Sequence, residues 1–181
     1  MPSGNIVLSS VGGDGRRTLA KVASLLSNYT FFSVPINSTY SKIMWRNDLR
    51  SLIKNTGCYC KDTVLFFTLS QLRDNSFLLE DLESLYTRGE ILDLFSLDER
   101  HELNEHVHQY MVEQSGTGVI TELTPAALYE IFISICKRKL HVILCYDEGD
   151  RHALELFRER PCLIDTSVHF ILRVKQQFIR K

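Results

Sequence analysis

The run Thr63-Val64-Leu65-Phe66-Phe67 carries no charge and is built from β-branched, aliphatic and aromatic side chains. It has no polar face to turn toward water, so it suits a central strand covered on both sides, as in a parallel sheet between helical layers. His141-Val142-Ile143-Leu144-Cys145 reads as a further strand. Shorter runs at Ile6-Val7-Leu8 and Thr30-Phe31-Phe32-Ser33-Val34, and a fifth at 167–174, complete a set separated by segments of helical period. This alternation predicts an α/β domain with a mainly parallel sheet.

The intervening helices can be placed from their spacing and their end signals. Leu19, Val22, Ala23 and Leu26 predict a helix over 16–27, and Ile43, Leu49, Leu52 and Ile53 predict one over 41–56 with these four on one face. Asn75 or Ser76 caps a helix through Phe77, Leu78, Leu82 and Leu85 that stops near Gly89. Residues 97–114 read as a charged surface helix ending before Gly116-Thr117-Gly118. Thr124 followed by Pro125 is a capping hydroxyl and a first-turn proline, opening a helix with Leu128, Ile131, Phe132 and Ile135 as its stripe. A last helix is expected over 150–159.

At 181 residues the chain fits one domain, 1–181, and it shows no repeat, low-complexity tract or linker on which a boundary could sit. With 21 basic against 22 acidic side chains, no global field draws it to nucleic acid or an anionic membrane. No apolar run approaches the ~20 residues that span a bilayer, and Met1-Pro2-Ser3-Gly4-Asn5 lacks the regions of a signal peptide. The five cysteines are irregularly spaced, so reduced thiols in a cytoplasmic protein are expected.

Chemistry points to the turn after the first strand, Ser10-Val11-Gly12-Gly13-Asp14-Gly15-Arg16-Arg17-Thr18. A phosphate-binding loop needs glycines so that its backbone can aim several N–H groups at one anion, at the start of a helix whose dipole favours negative charge. It also needs a cation on the terminal phosphates and a hydroxyl for Mg²⁺. Gly12, Gly13, Gly15, Arg16, Arg17 and Thr18 are the candidate nucleotide-binding residues. The strict pattern fails where Ser10 replaces the first glycine, where Arg16 replaces lysine, and where one residue intervenes before Thr18. Asp14 adds a carboxylate that repels phosphate by ~1–3 kcal/mol per unit charge at ~5 Å and an effective dielectric of ~20–80. Hydrolysis further requires acids at the end of a buried strand. The run 63–67 is followed by Thr68-Leu69, which supplies neither, and Asp74 lies too far along the chain. No catalytic residue is therefore assigned, and no ATP hydrolysis by this chain alone is expected.

Two other arrangements are weaker. Cys58-Tyr59-Cys60 with His101, His106 and His108 has the wrong spacing for zinc, so no metal site is expected. His141 reads as a strand-end side chain, and the basic end, Arg173, Lys175, Arg180 and Lys181, as a solvated tail.

Beyond the loop, the ordered segments resemble the fourth AAA+ module of dynein heavy chains, of the axonemal kind. The likeness rests on Gly4 to Leu8 with Val11 to Leu19, on Trp45-Arg46-Asn47-Asp48-Leu49, on Val64 to Thr68, on Phe77 to Leu82 with Arg88 to Ile91 and Leu94-Phe95, and on Leu140 to Cys145 with Arg160 to Ile164. It implies the large α/β subdomain of a P-loop ring ATPase, with five parallel strands in the order 5-1-4-3-2. It places Arg16 on the phosphate-contacting residue, Thr18 on the following hydroxyl, Thr68 and Leu69 on the acidic strand-end motif, and Asp147 near a polar sensor position. The arginine facing a neighbouring module falls on Arg158 or Arg160. The implied ligand is ATP or ADP, with Mg²⁺ weak or absent. The implied partners are neighbouring AAA+ modules or dynein subunits in a cytoskeletal or ciliary assembly. Lid and stalk are not expected within the 181 residues, and neither is direct microtubule binding. The implied role is structural or regulatory, without autonomous motor activity. A nucleotide-free interaction domain derived from the same fold is the alternative.

Overall fold

The computed structural model describes residues 4–11, 15–34, 40–73, 75–115 and 123–173. The strands are β1 (Asn5–Ser10), β2 (Thr30–Ser33), β3 (Thr63–Thr68), β4 (Leu140–Asp147) and β5 (Ser167–Leu172). Every pairing is parallel, in the order β2-β3-β4-β1-β5, which is the order implied by the resemblance. The helices are α1 (Arg16–Leu26), α2 (Lys42–Cys58), α3 (Leu69–Arg73), α4 (Ser76–Thr87), α5 (Leu97–Ser115), α6 (Pro125–Lys139), α7 (Arg151–Glu159) and α8 (Cys162–Asp165). The short α3 and α8 had no sequence signal, being under two turns and lacking a full apolar period.

Alternation along the strands divides the core. Val7, Leu65, Phe67, Val142 and Leu144 face a large cluster filled from α2, α4, α5, α6 and α7. Leu8, Val64, Phe66, Ile143 and Cys145 face the other side, where Ala20 of α1 joins them. The runs 63–67 and 142–145 are thus covered on both faces, as strands between two layers of the core are.

Two helical stripes lie differently from the sequence reading. On α2 the buried residues are Trp45, Leu49, Leu52, Ile53 and Thr56, while Ile43 is exposed. Ile43 sits two residues before Trp45, about 200° around the helix, so both cannot face the core. On α1 the buried residues are Ala20 and Ser24, and Leu19, Val22, Leu25 and Leu26 point outward. The small side chains let α1 lie close to the sheet and leave its apolar stripe at the surface. The charged helix α5 also differs in one respect, because Leu103 and Val107 enter the core.

Capping follows the expected chemistry at α6, where Thr124 Oγ1 accepts from Ala127 N at 3.3 Å. At α4, Asn75 is the N-cap residue, but its amide donates back to Gln71 O at 3.1 Å, so the side chain does not cap the helix.

Helices α2 and α6 cross at Gly57. A Cβ there would lie 2.2 Å from Phe132 Cε2 and 2.8 Å from Cys136 Sγ. Gly57→Ala is therefore expected to destabilise the fold by about 1–3 kcal/mol through overpacking, outweighing the ~1 kcal/mol gain in helix propensity. A lower midpoint in urea unfolding at unchanged slope checks this; an unchanged or raised midpoint rejects it.

Candidate functional site

Parallel pairing aligns the carboxyl ends of the strands. Ser10 lies opposite Asp147 across β1 and β4, and Thr68 lies opposite Cys145 across β3 and β4. Ligands of open α/β sheets bind at this edge, where the chain leaves the sheet and enters helix N-termini. Ser10, Thr68 and Asp147 stand at this edge, with Gly15, Arg16, Arg17 and Thr18 at the start of α1 after β1 and Leu69 at the start of α3 after β3. Gly12, Gly13 and Asp14 lie outside the described residues, as does Asp74.

The turn is anchored on both sides. Ser10 is fully buried, its hydroxyl donates to Val11 O at 3.1 Å, and its carbonyl accepts from Glu148 N at 2.9 Å. Gly15 caps α1 with φ 71°, a left-handed conformation that penalises any side chain even though nothing crowds a Cβ there. Its carbonyl accepts the first helical bond, from Leu19 N at 2.9 Å. Arg17 and Thr18 are exposed on the first turn of α1.

Arg16 turns inward instead. Its guanidinium donates from Nη1 to the carbonyl of Tyr146 and from Nη2 to Asp147 Oδ1. Its side chain is 16% exposed against 58% for that of Asp147, so the arginine is the buried partner of this ion pair. The resemblance placed Arg16 on the phosphate-contacting residue and Asp147 near a sensor position. The structure brings the two together, and the part of Tyr146 is carried by a backbone carbonyl that no sequence pattern marks. Cys145 lies beside the pair, and burial pushes its thiol up to about 12, so it carries no reactive thiolate.

The strand-end positions on β3 hold no carboxylate. Thr68 is half-buried; its N–H donates to Gln71 Oε1 at 2.9 Å and its hydroxyl is 3.1 Å from that of Ser70. Leu69 is 5% exposed and belongs to the main core, as the first residue of α3. The side chain at this second position is therefore part of the core.

The choice between Arg158 and Arg160 is also a matter of geometry. Arg160 Nη1 donates to Glu83 Oε2, tying the end of α7 to α4. Arg158 is exposed, with no hydrogen bond or ion pair among the described residues.

Sequence reasoning passed over one further set of contacts. Trp45 is fully buried and its indole N–H donates to Asp81 Oδ2 at 3.0 Å, while Arg46 Nη2 donates to Asp81 Oδ1 at 2.8 Å. Arg46 also donates to Leu92 O at 3.1 Å, and Arg50 Nε to Leu94 O at 2.9 Å. The segments 45–50, 77–82 and 91–95, three carriers of the resemblance, are thus one bonded unit. The available signal was Asp81 itself, a carboxylate on the apolar stripe of α4.

Among the described residues no group of three or more His, Cys, Asp or Glu could hold a metal, and no helix is long and apolar enough to cross a membrane.

The comparisons agree with this architecture. The family described as P-loop containing dynein motor region D4 matches residues 1–171. Dynein axonemal heavy chain 2 of Homo sapiens is 30% identical over 164 residues, 91% of this chain and 4% of that protein. Dynein axonemal heavy chain 8 of Homo sapiens is 34% identical over 143 residues, 79% of this chain and 3% of that protein. The Dynein-1-beta heavy chain, flagellar inner arm I1 complex, of Chlamydomonas reinhardtii is 33% identical over 159 residues, 88% of this chain and 3% of that protein. The chain thus spans only a few per cent of the relatives it matches. With a five-stranded parallel sheet in the expected order, a glycine turn leading into α1, and a family match over nearly its whole length, the chain belongs to the P-loop containing dynein motor region D4 family, the fourth AAA+ module of dynein heavy chains.

Proposed function

We propose that this chain is a nucleotide-holding AAA+ module without hydrolytic activity that serves structure or regulation in an axonemal, microtubule-based motor assembly. The observation that carries the reading is the split character of the sheet edge. Gly15 and Arg16 at the start of α1 support a phosphate site there, while the burial of Leu69 in the core supports the loss of hydrolysis. Gly15, Arg16, Arg17 and Thr18, with Gly12 and Gly13, would hold ATP or ADP. Mg²⁺ would be held weakly, since only the hydroxyls of Thr18 and Thr68 are near the expected positions.

The outer face supports a role among neighbours. Leu19, Val22, Leu25 and Leu26 on α1 and Phe170 and Ile171 on β5 are exposed apolar residues of a kind that assembled proteins cover. Neighbouring AAA+ modules are the natural cover, with Arg158 as the cation offered across the contact. One relative is named for a flagellar inner arm complex, which fits a cytoskeletal or ciliary setting.

Titration with labelled ATP and ADP at millimolar Mg²⁺ tests the reading. Binding tighter than ~100 μM that Arg16→Ala weakens at least tenfold is expected. Phosphate release should stay below ~0.01 per second. Absence of binding removes the nucleotide and leaves a pure interaction domain on the same fold; faster turnover rejects the non-hydrolytic assignment.

A further inference from the structure

We infer that Asp147 is a built-in competitor for the phosphate-binding arginine, so that a nucleotide can engage Arg16 only by displacing the Asp147 carboxylate. The inference rests on the proposed nucleotide site and concerns how that site is held shut. Arg16 presents one planar fork, and in this structure both of its terminal nitrogens are taken, Nη1 by the Tyr146 carbonyl and Nη2 by Asp147 Oδ1. A carboxylate and a phosphate present oxygen acceptors to guanidinium in the same way, so the same donors cannot serve both fully at once.

The competitor is tethered. Asp147 is the last residue of β4, its backbone paired beside Ser10 of β1. Its carbonyl accepts from Asp150 N at 3.1 Å, and Glu148 N is bound to Ser10 O at 2.9 Å. A phosphate can therefore push the carboxylate aside by side-chain rotation but cannot expel it. The displaced side chain stays close to the incoming anion and repels it. Exposure favours this exchange from the aspartate side: its side chain is 58% exposed and is readily solvated when released, whereas Arg16, at 16%, needs a new anionic partner.

The test compares labelled ATP binding to the wild-type chain, Asp147→Asn, Asp147→Ala and Arg16→Ala, each checked for an unchanged far-UV spectrum. Asparagine keeps the shape and removes the charge, so Asp147→Asn should bind about tenfold more tightly, and Asp147→Ala should bind more tightly as well. Adding Arg16→Ala to Asp147→Asn should abolish the gain, because the gain acts through the freed guanidinium. Tighter binding by both Asp147 variants than by the wild-type chain is the expected result. If the wild-type chain binds and neither Asp147 variant gains affinity, the competitor is rejected while the nucleotide site stands. If no form binds ATP, the nucleotide site is rejected and the gating role falls with it. A gain that survives Arg16→Ala assigns the effect to general charge and also overturns the inference.

Discussion

Leu69→Asp is expected to destabilise the fold by about 3–5 kcal/mol and to leave ATP hydrolysis undetected. The family resemblance implies an acid at this position for turnover, and introducing one is the direct experiment. Leu69 is 5% exposed within the main core, so the substitution forfeits ~1.5–3 kcal/mol of apolar burial and partly buries a carboxyl at the start of α3. The group must then either take up a proton or pull the start of α3 open, and neither outcome presents an ionised base to a bound nucleotide. Thr68→Asp provides the contrast, since that side chain is half-buried at the strand end beside the Ser70 hydroxyl. Its cost should stay near ~1 kcal/mol or below. Urea unfolding of both variants, with phosphate release measured in parallel, decides the matter. A Leu69→Asp chain as stable as wild type would show that the position is not a core position, and one that turned over ATP would show that the acid alone was missing.

Asp81→Ala should cost about 2–4 kcal/mol, more than any of the surface ion pairs. Two donors converge on this carboxylate from one helix, the buried Trp45 indole at 3.0 Å and the Arg46 guanidinium at 2.8 Å. Deleting the acceptor leaves the Trp45 N–H buried without a partner, a penalty of ~1–3 kcal/mol, and removes a charge-assisted bond. Arg46 softens the loss because its side chain is 26% exposed and can turn to water. Asp81→Asn keeps one acceptor oxygen and should lie between alanine and wild type. In a double-mutant cycle with Trp45→Phe, the two losses should fall short of additive, since each removes the same bond. Full additivity would mean that the indole bond contributes nothing.

The predicted contrast between these two acids follows from where each carboxylate sits in the fold. Asp81 is tolerated in an apolar stripe because α2 delivers two donors to it. An aspartate at position 69 would replace a core leucine, in a position where no side chain donates a hydrogen bond to the residue it replaces. Residue type and helical position give no basis for that distinction; the partner across the core does.

Much of the architecture was legible because it follows from local rules. The uncharged run at 63–67 required cover on both faces, the run at 141–145 read as a strand, and Thr124-Pro125 required a helix start; all three appear in the structure. The absence of an acid after β3 was legible as well, being a matter of residue identity at Thr68 and Leu69. The direction in which a helix turns was less so. The apolar recurrence on α1 marked a helix correctly, yet the stripe faces outward and Ala20 and Ser24 make the contact with the sheet. Periodicity reports that one face is apolar and says nothing about whether that face meets this chain's own core or another body.

The candidate site divides in the same way. The sequence by itself determined the glycine turn, the positive charge after it and the missing acids, because each depends on which residues stand at neighbouring positions. Only the tertiary structure decided that Arg16 is held by Asp147 and the Tyr146 carbonyl, residues 130 and 131 positions away in the chain. It also decided that Arg160 is bound to Glu83 while Arg158 is left exposed. These pairings depend on strand order: β4 lies beside β1, which brings the end of one strand to the helix that follows the other. Charge complementarity admits many partners for an arginine, and the sheet selects the one within reach.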